Sequence, residues 1–255
     1  MLKNVILRLV TGSLAAALLF AQGKQPQPKS QKEVDALNAM FQAADPDSKI
    51  KAANTLLQKF ADTDFKPLAL YIITDAYNNK KDATNTIVFG ERLVEADPKS
   101  ALAAHARIMI ATNLAMTTKE FDFDKEEKLG RADKLAKEAI EVVKTAPKFN
   151  PGLTDEQWDG AKKGYTAEAY VALGMTATVR KKYPDAIAAY KSAYETDPTN
   201  DATLVRLGSA QSSAAKYDDA IATLDKIISK AGVDPAIVNF AKAEKEKAVK
   251  MKGAK

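Results

Sequence analysis

The chain has 255 residues, and its 38 basic and 33 acidic residues give a formal net charge of +5. Because 46% of the residues are hydrophobic, the chain can fill a core, which excludes a disordered protein. It contains no cysteine, which excludes disulfide bonds and lipid attachment through a cysteine, and the abundance of Ala, Leu, Lys and Glu favours a mostly helical fold.

The first 23 residues have the pattern of a bacterial secretory signal peptide. Lys3 and Arg8 form a basic start, residues 9–20 are an uncharged apolar run, and residues 21–23 offer small side chains for cleavage. A membrane anchor is the alternative, but the run is shorter than the roughly 20 residues that span a bilayer. The pattern predicts an exported chain, periplasmic or secreted, without stable membrane insertion after cleavage.

Cleavage would also change the charge. It removes two basic residues and leaves 36 against 33 acidic ones, a net charge of +3. Charges of both signs alternate along the chain, as in the segment that contains Glu244 and Glu246 among lysines. This pattern is typical of a solvated helical surface and disfavours nucleic acid as a partner.

The segment after the signal predicts a linker followed by helix pairs. Residues 24–31 contain two prolines and no large apolar residue, which is typical of a flexible linker. A first helix pair is predicted over residues 32–66, hinged at Asp45-Pro46, and a second over residues 67–100, which ends in Asp97-Pro98.

The unit predicted over residues 101–150 is longer. Helices are expected around 101–116 and 129–145, with the sequence KEFDFDKEEK between them. The alternating carboxylates of that segment suggest a calcium loop, but it lacks the central Gly and the terminal Glu of such loops. A solvated loop anchored by its phenylalanines is the preferred interpretation.

Thr154 and Gln157 have the spacing of a capping box and predict the start of the next helix. Trp158, just inside it, is interpreted as a helix-packing residue, with stacking on a sugar or base as the alternative.

Two later stretches have nearly the same sequence. KYPDAIAAYKSAYETDP begins at residue 182, and KYDDAIATLDKIISKAG begins 34 residues later, at residue 216. In each copy, apolar residues recur at helical spacing in two runs, which predicts two antiparallel helices joined by a turn. The small residues Gly174, Gly208, Ala186 and Ala220 should let the two helices of each copy approach closely. Tyr190 and Leu224 should fill the gap toward the next unit. At this offset Gly174 corresponds to Gly208, Ala186 to Ala220, and Tyr190 to Leu224.

These residues resemble the tetratricopeptide repeat (TPR) family, whose pattern W-x2-L-G-x2-Y, A-x3-F, P recurs about every 34 residues. Residues 167–200 match this pattern well. Residues 201–234 match it nearly as well, although Gln211 stands where the pattern has an aromatic residue and Gly232 where it has proline. The resemblance implies an all-α fold, a right-handed superhelical stack of helix-turn-helix pairs (an α-solenoid), closed by a capping helix over residues 235–252. The first repeat, 167–200, matches at Tyr170, Leu173, Gly174, Ala186, Tyr190, Ala193 and Pro198.

Residues for catalysis are few. The chain has one histidine, His105, no cysteine and no glycine-rich loop that could hold phosphates. His105 lies in a predicted helix without a sequence partner and is interpreted as an ordinary helical or groove-facing histidine. We expect no enzyme activity, no cofactor and no metal.

The resemblance implies that the first helix of each pair lines a concave groove that binds peptides or partner helices. The predicted function is a non-catalytic protein-protein interaction scaffold or adaptor of the bacterial envelope. The alternative is a binding module for cell-wall or secreted polysaccharide, and a monomer is slightly preferred over a homodimer. The family's Lys and Asn clamp for a carboxylate terminus is not reproduced. The groove positions carried over from the family are Tyr71, Asp75, Asn78, His105, Met109, Asn113, Val171, Met175, Thr178, Arg206, Ser209 and Ser212.

Overall fold

A computed structural model describes residues 26–254 of the chain, so the predicted signal peptide lies outside the described residues. Within them the chain forms eleven α-helices and no strand, which confirms the predicted all-α class. The helices are α1 (Gln31–Gln42), α2 (Pro46–Lys59), α3 (Lys66–Asn79), α4 (Ala83–Ala96), α5 (Ala101–Thr117), α6 (Lys125–Thr145), α7 (Asp155–Val179), α8 (Tyr183–Thr196), α9 (Asp201–Ser213), α10 (Tyr217–Ile228) and α11 (Pro235–Gly253).

The described chain divides into two compact units, which meet in sequence at Met109 and Ile110. In unit 1 the helices α1 to α4 pack in sequence: α1 against α2, α2 against α3, and α3 against α4. One core cluster of unit 1 includes Leu56 and Ile73, both fully buried. Asp45 caps α2 by accepting a hydrogen bond from the N–H of Ser48, at 2.9 Å, so a new helix does begin at the predicted Asp45-Pro46 hinge.

The described part of the predicted linker is in contact with unit 1. Lys29 Nζ forms an ion pair with Asp62 at 2.9 Å, and the N–H of Lys29 donates to the carboxylate of Glu33 at 2.6 Å. Glu33 is itself buried and accepts a hydrogen bond from the hydroxyl of Thr63. Ser30 caps α1, so the chain is held from residue 29 onward by groups that the linker composition did not reveal.

Unit 2 continues the same sequential packing from α6 to α11, and α9 also contacts α11. Its main core cluster contains the large buried side chains Tyr190, Leu207 and Leu224. The capping box predicted at Thr154 is confirmed, because its side chain accepts from the N–H of Gln157 while the Gln157 side chain accepts from the N–H of Thr154. The resulting helix, α7, has 25 residues and begins well before the repeat that starts at residue 167.

The helix predicted around residue 129 begins earlier, at Lys125. Glu126 and Glu127 lie in its first turn, where a carboxylate is stabilised by the positive end of the helix dipole. The solvated loop predicted between α5 and α6 is therefore confined to residues 118–124, and the prediction that its phenylalanines anchor it is wrong, because Phe121 and Phe123 are both exposed. The alanines of α6 that share one face, Ala132, Ala136 and Ala139, are all fully buried.

The same turn joins the two helices in three pairs, α3–α4, α7–α8 and α9–α10. The residues after the first helix, Lys81, Lys181 and Ala215, have positive φ angles of 60°, 59° and 58°. In each case the next residue's N–H bonds the carbonyl five residues back, as from Lys182 to Ala177, which is the Schellman motif of a helix C-terminus. The pair α3–α4 therefore has the turn geometry of the two clear repeats, although its sequence matches the repeat pattern less well.

The place of Tyr190 differs from the prediction. Its ring packs against Gly174 of its own repeat, where a Cβ would lie 2.6 Å from Cδ1 of the ring. Leu224 packs in the same way against Gly208. Tyr190 and Leu224 thus each fill the space beside a glycine of their own helix pair, whereas the prediction had them filling the gap toward the next pair.

Candidate partner-binding groove

A surface cavity of about 530 Å³ lies in unit 2 among α7, α8, α9 and α11, and we call it the unit 2 groove. Its wall from α9 includes Arg206 and Ser209, which are three residues apart and so share a helix face. α11 contributes Ile237 and Phe240, which share a face for the same reason. Thr178 of α7 and Tyr190 of α8 also line it.

The floor of the groove is apolar and rigid. Val205 and Ala210 are buried members of the main core cluster of unit 2, and they also line the cavity. Tyr190 rises from α8 beneath them and is 3% exposed. Because these side chains are fixed by the core, the groove does not need to form when a ligand arrives.

The rim carries hydroxyl groups and one cation. Thr178 Oγ1 lies 3.3 Å from the Tyr190 hydroxyl, and Ser209 and Ser213 add two further hydroxyls. Burial raises the pKa of Tyr190, and the neighbouring Thr178 and Arg206 partly oppose that rise. The phenol is therefore neutral at ordinary pH, and the guanidinium of Arg206 supplies the positive charge among the lining residues.

Phe240 gives the groove an exposed apolar surface. It is 57% exposed although it is a large hydrophobic residue, and it lies beside Ile237 in the cavity wall. Aromatic residues and arginine are enriched at protein interfaces. The groove can thus accept an apolar side chain and, beside it, a carboxylate.

Three predicted site residues come together here. Thr178, Arg206 and Ser209 all line the unit 2 groove. The others on these helices do not line it: Val171 packs against the main core cluster, Met175 is 8% exposed within that cluster, and Ser212 is 4% exposed. The accessible face of α9 is therefore the one through positions 202, 206, 209 and 213.

The predicted residues of unit 1 form a separate group. The Tyr71 hydroxyl lies 2.9 Å from Nδ1 of His105, and their ring centroids are 5.7 Å apart. Tyr71 and Met109 are buried in one core cluster, and the Asp75 carboxylate accepts a hydrogen bond from Asn79 at 2.9 Å. Asn78, like His105, is half-buried.

Asn113 does not line the unit 2 groove either. It is buried in α5, beyond the end of unit 1, and its carbonyl accepts a hydrogen bond from the hydroxyl of Thr117.

The sequence analysis predicted three of the eleven residues that line the groove and missed eight, among them Phe240, Ile237 and Tyr190. Phe240 and Ile237 lie in the segment predicted as a capping helix, to which the sequence analysis gave no groove position. Their spacing and size were visible, but the sequence does not show that α11 presents Phe240 to the cavity instead of burying it. Tyr190 was assigned to packing only, whereas it both packs and lines the cavity.

Other site types find little support in the part of the chain that the structure describes. No group of three or more His, Asp or Glu side chains there could hold a metal ion. Trp158 is 6% exposed, with the Phe149 ring edge-on at 5.8 Å, which is a packing arrangement. Across residues 26–254, no helix combines the length and the apolar character needed to cross a bilayer.

One part of the chain matches a known family model. Residues 180–243, which run from the turn after α7 into α11, match the family model described as tetratricopeptide repeat. A search of curated protein sequences finds no match.

A solved structure shows the same fold. The chain is similar to TTC0263, a thermophilic TPR protein in Thermus thermophilus, with 17% sequence identity and a TM-score of 0.57. The similarity covers 85% of this chain and 98% of that chain. At this identity it establishes the fold alone, a TPR-like succession of packed helix pairs.

Proposed function

We propose that the chain is a non-catalytic scaffold or adaptor that binds an extended peptide or a partner helix in the unit 2 groove. The observation that carries the proposal is the groove itself, with an apolar floor, the exposed ring of Phe240 and one cation, Arg206, on neighbouring helices. Such a surface suits a ligand that extends across several helices and offers alternating apolar and polar side chains.

The polysaccharide alternative finds less support among the described residues. Sugar binding by stacking needs exposed aromatic faces, and the aromatic candidate of the sequence, Tyr71, is 7% exposed and bonded to His105. Phe240 is a single exposed ring in the unit 2 groove. A peptide side chain needs only one such contact.

The place of action is part of the proposal. The basic start, the apolar run and the small residues before position 24 support export, so we propose a periplasmic or secreted protein of the bacterial envelope. Mass spectrometry of the chain isolated from its native cells should find a mature N-terminus near residue 24. An intact Met1 on the accumulated protein would contradict export.

Co-purification from the cell envelope tests the binding site. The bait is the full chain, beside a groove variant with Arg206→Glu and Phe240→Ser, both at exposed positions. A matched control carries Lys226→Glu, which is exposed on α10 and does not line the cavity. We expect a protein retained by the wild type and the control and lost with the groove variant. Equal retention by all three would show that partners bind elsewhere.

A further inference from the structure

The hydroxyl of Tyr190 carries a proton that the fold uses poorly. The residue is 3% exposed, yet it lines the unit 2 groove. The hydroxyl of Thr178 donates its single proton to the carbonyl of Gly174 at 2.8 Å, so Tyr190 is the donor in the 3.3 Å contact between the two hydroxyls. Because hydrogen bonds between oxygens are ordinarily about 2.5–3.0 Å long, this contact is weak. The phenol therefore keeps the capacity to donate to a ligand in the groove.

Arg206 is a cation without a partner carboxylate in the part of the chain that the structure describes. It is exposed on α9, and no ion pair within residues 26–254 includes it. Burial raises the pKa of Tyr190, and Arg206 is close enough to the phenol to oppose that rise. Among the described residues that line the groove, Arg206 is the only charged one. One guanidinium and one phenol O–H, with no acidic group beside them, are complementary to a single negative charge.

The charge count favours a carboxylate over a phosphate. A phosphorylated side chain carries a charge of about −1.5 to −2 at neutral pH and is typically bound by a cluster of arginines. A carboxylate carries one charge, and its two oxygens can accept from the guanidinium and from the phenol at the same time. Such charge-assisted hydrogen bonds are shorter and stronger than the contact that Tyr190 makes with Thr178.

The depth of Tyr190 favours a side chain over the end of a peptide chain. Its phenol is almost fully buried, whereas Arg206 is exposed, and the apolar Val205 and Ala210 line the same cavity. A terminal carboxylate is attached directly to the backbone, so it would carry a backbone N–H into these apolar surroundings, where an unpaired amide is costly. A glutamate reaches the phenol on two methylene groups, which bury against the apolar floor while the backbone stays at the rim.

We propose that the unit 2 groove recognises an internal glutamate of a partner peptide through the Tyr190 hydroxyl and Arg206. An apolar side chain of the same peptide packs beside Phe240 and Ile237. The inference rests on the proposed function, since it names the ligand class of the same groove. Tyr190 is then a specificity-determining residue, because a site with a buried donor discriminates against ligands that lack an acceptor for it.

Peptide display on the chain as isolated from cells tests this assignment. One library presents random peptides joined to the coat protein through their C-terminal ends, so that every carboxylate it offers belongs to a side chain. A second library presents random peptides with free C-termini. Both are selected on the wild type after depletion on the groove variant (Arg206→Glu, Phe240→Ser). We expect the first library to yield peptides that share a glutamate near an apolar residue.

Affinity measurements with a selected peptide, synthesised with an amidated C-terminus, then test the role of Tyr190. Tyr190→Phe should weaken binding about tenfold or more, because it removes a hydrogen bond to a charged group. Tyr183→Phe, on the same helix but outside the groove lining, is the matched control and should bind as the wild type does. Circular dichroism with thermal unfolding verifies that both variants fold as the wild type does.

A double-mutant cycle tests for direct contact. Replacing the glutamate of the peptide by alanine should weaken binding more in the wild type than in Tyr190→Phe, because the effects of two groups in contact are not additive.

Any of four results would overturn the inference. They are selected peptides without a shared glutamate, binders from the free C-terminus library alone, equal affinity of wild type and Tyr190→Phe, or additive effects in the cycle. In each case, a peptide that binds the wild type and not the groove variant still supports the proposed function. If neither library yields a peptide that depends on the groove, the proposed function fails together with the inference, so the two failures are distinguishable.

Discussion

The ring of Tyr190 occupies the space that a side chain at position 174 would need. A Cβ built on Gly174 would lie 2.6 Å from Cδ1 and 2.8 Å from Cζ of that ring. In the next repeat, Gly208 faces Leu224, whose Cγ would lie 2.6 Å from the added carbon. Both partners are buried and have no room to move, so each glycine and its large neighbour form one packing unit.

Replacing either glycine by alanine should therefore destabilise the fold. We expect Gly174→Ala and Gly208→Ala each to lower the free energy of unfolding by about 1–3 kcal/mol, because overpacking exceeds the gain in helix propensity. Urea unfolding followed by circular dichroism measures the change. Gly130→Ala in α6 is the matched control, since nothing lies within 4 Å of its added carbon, and it should stabilise by up to about 1 kcal/mol. Equal effects at all three positions would contradict this account of the packing.

The same glycines explain how far the sequence could predict the fold. A glycine, an alanine and a large residue at fixed spacing are readable without coordinates, and they correctly indicated closely packed helix pairs. The accessible face of each helix was less readable. Ser212 lies on α9, which contacts α8, α10 and α11, and Met175 packs within the main core cluster. A repeat register alone could not separate such buried positions from exposed ones such as Arg206.

The sequence could not predict the whole groove, because one of its walls is formed by α11, which lies outside the repeat pattern. The repeat pattern gives a reference position for Thr178, Arg206 and Ser209, and these three do share the cavity. Phe240 has no counterpart in the pattern. Whether it was buried or exposed depends on how α11 lies against α9 and α10, which is a property of the folded chain.

Replacing the turn residue Ala215 by glycine should stabilise the fold. Its φ angle of 58° is in the left-handed region, which costs a residue with a Cβ roughly 1 kcal/mol or more. Because glycine also loses more backbone entropy on folding, we expect Ala215→Gly to raise the free energy of unfolding by a smaller amount, about 0.5 kcal/mol. Ala214→Gly, one residue earlier with a φ angle of −81°, is the control and should destabilise. Thermal unfolding of both variants measures the difference, and a loss at both positions would rule out this role for Ala215.

Arg180 joins α6 to the end of α7. Its Nε lies 2.8 Å from the Glu126 carboxylate, another guanidinium nitrogen lies 2.8 Å from that of Asp133, and the arginine side chain is only 11% exposed. Arg180→Met leaves Asp133, which is 28% exposed, without its cation, and should lower the free energy of unfolding by about 1–3 kcal/mol. Lys181→Met is the control, because its ion pair with Glu120 is exposed and should contribute less than about 1 kcal/mol. Denaturant titration measures the free energy of unfolding of both variants. If both lose a similarly small amount, burial does not strengthen the ion pairs of Arg180.

Tyr190 should make the fold sensitive to alkaline pH. Burial raises its pKa in the folded protein above the ordinary value of 10.0. Below that value both states hold the phenol proton, and the stability is fully present. As the pH rises beyond it, the unfolded chain loses the proton first, so the free energy of unfolding falls by up to about 1.4 kcal/mol per pH unit until the folded pKa is reached.

Tyr190→Phe removes this effect and keeps the ring against Gly174. We expect the variant to be about as stable as the wild type or slightly less stable at pH 8, because the loss is confined to polar contacts of the hydroxyl, such as the 3.3 Å contact with Thr178. At a pH about one unit above the ordinary tyrosine pKa the order should reverse, with the variant the more stable of the two. Urea unfolding at both values measures the difference, and Tyr183→Phe, a half-buried tyrosine on the same helix, is the control for loss of a phenol. A difference between wild type and Tyr190→Phe that stays constant with pH would show that the Tyr190 phenol ionises in the folded protein as readily as in the unfolded chain.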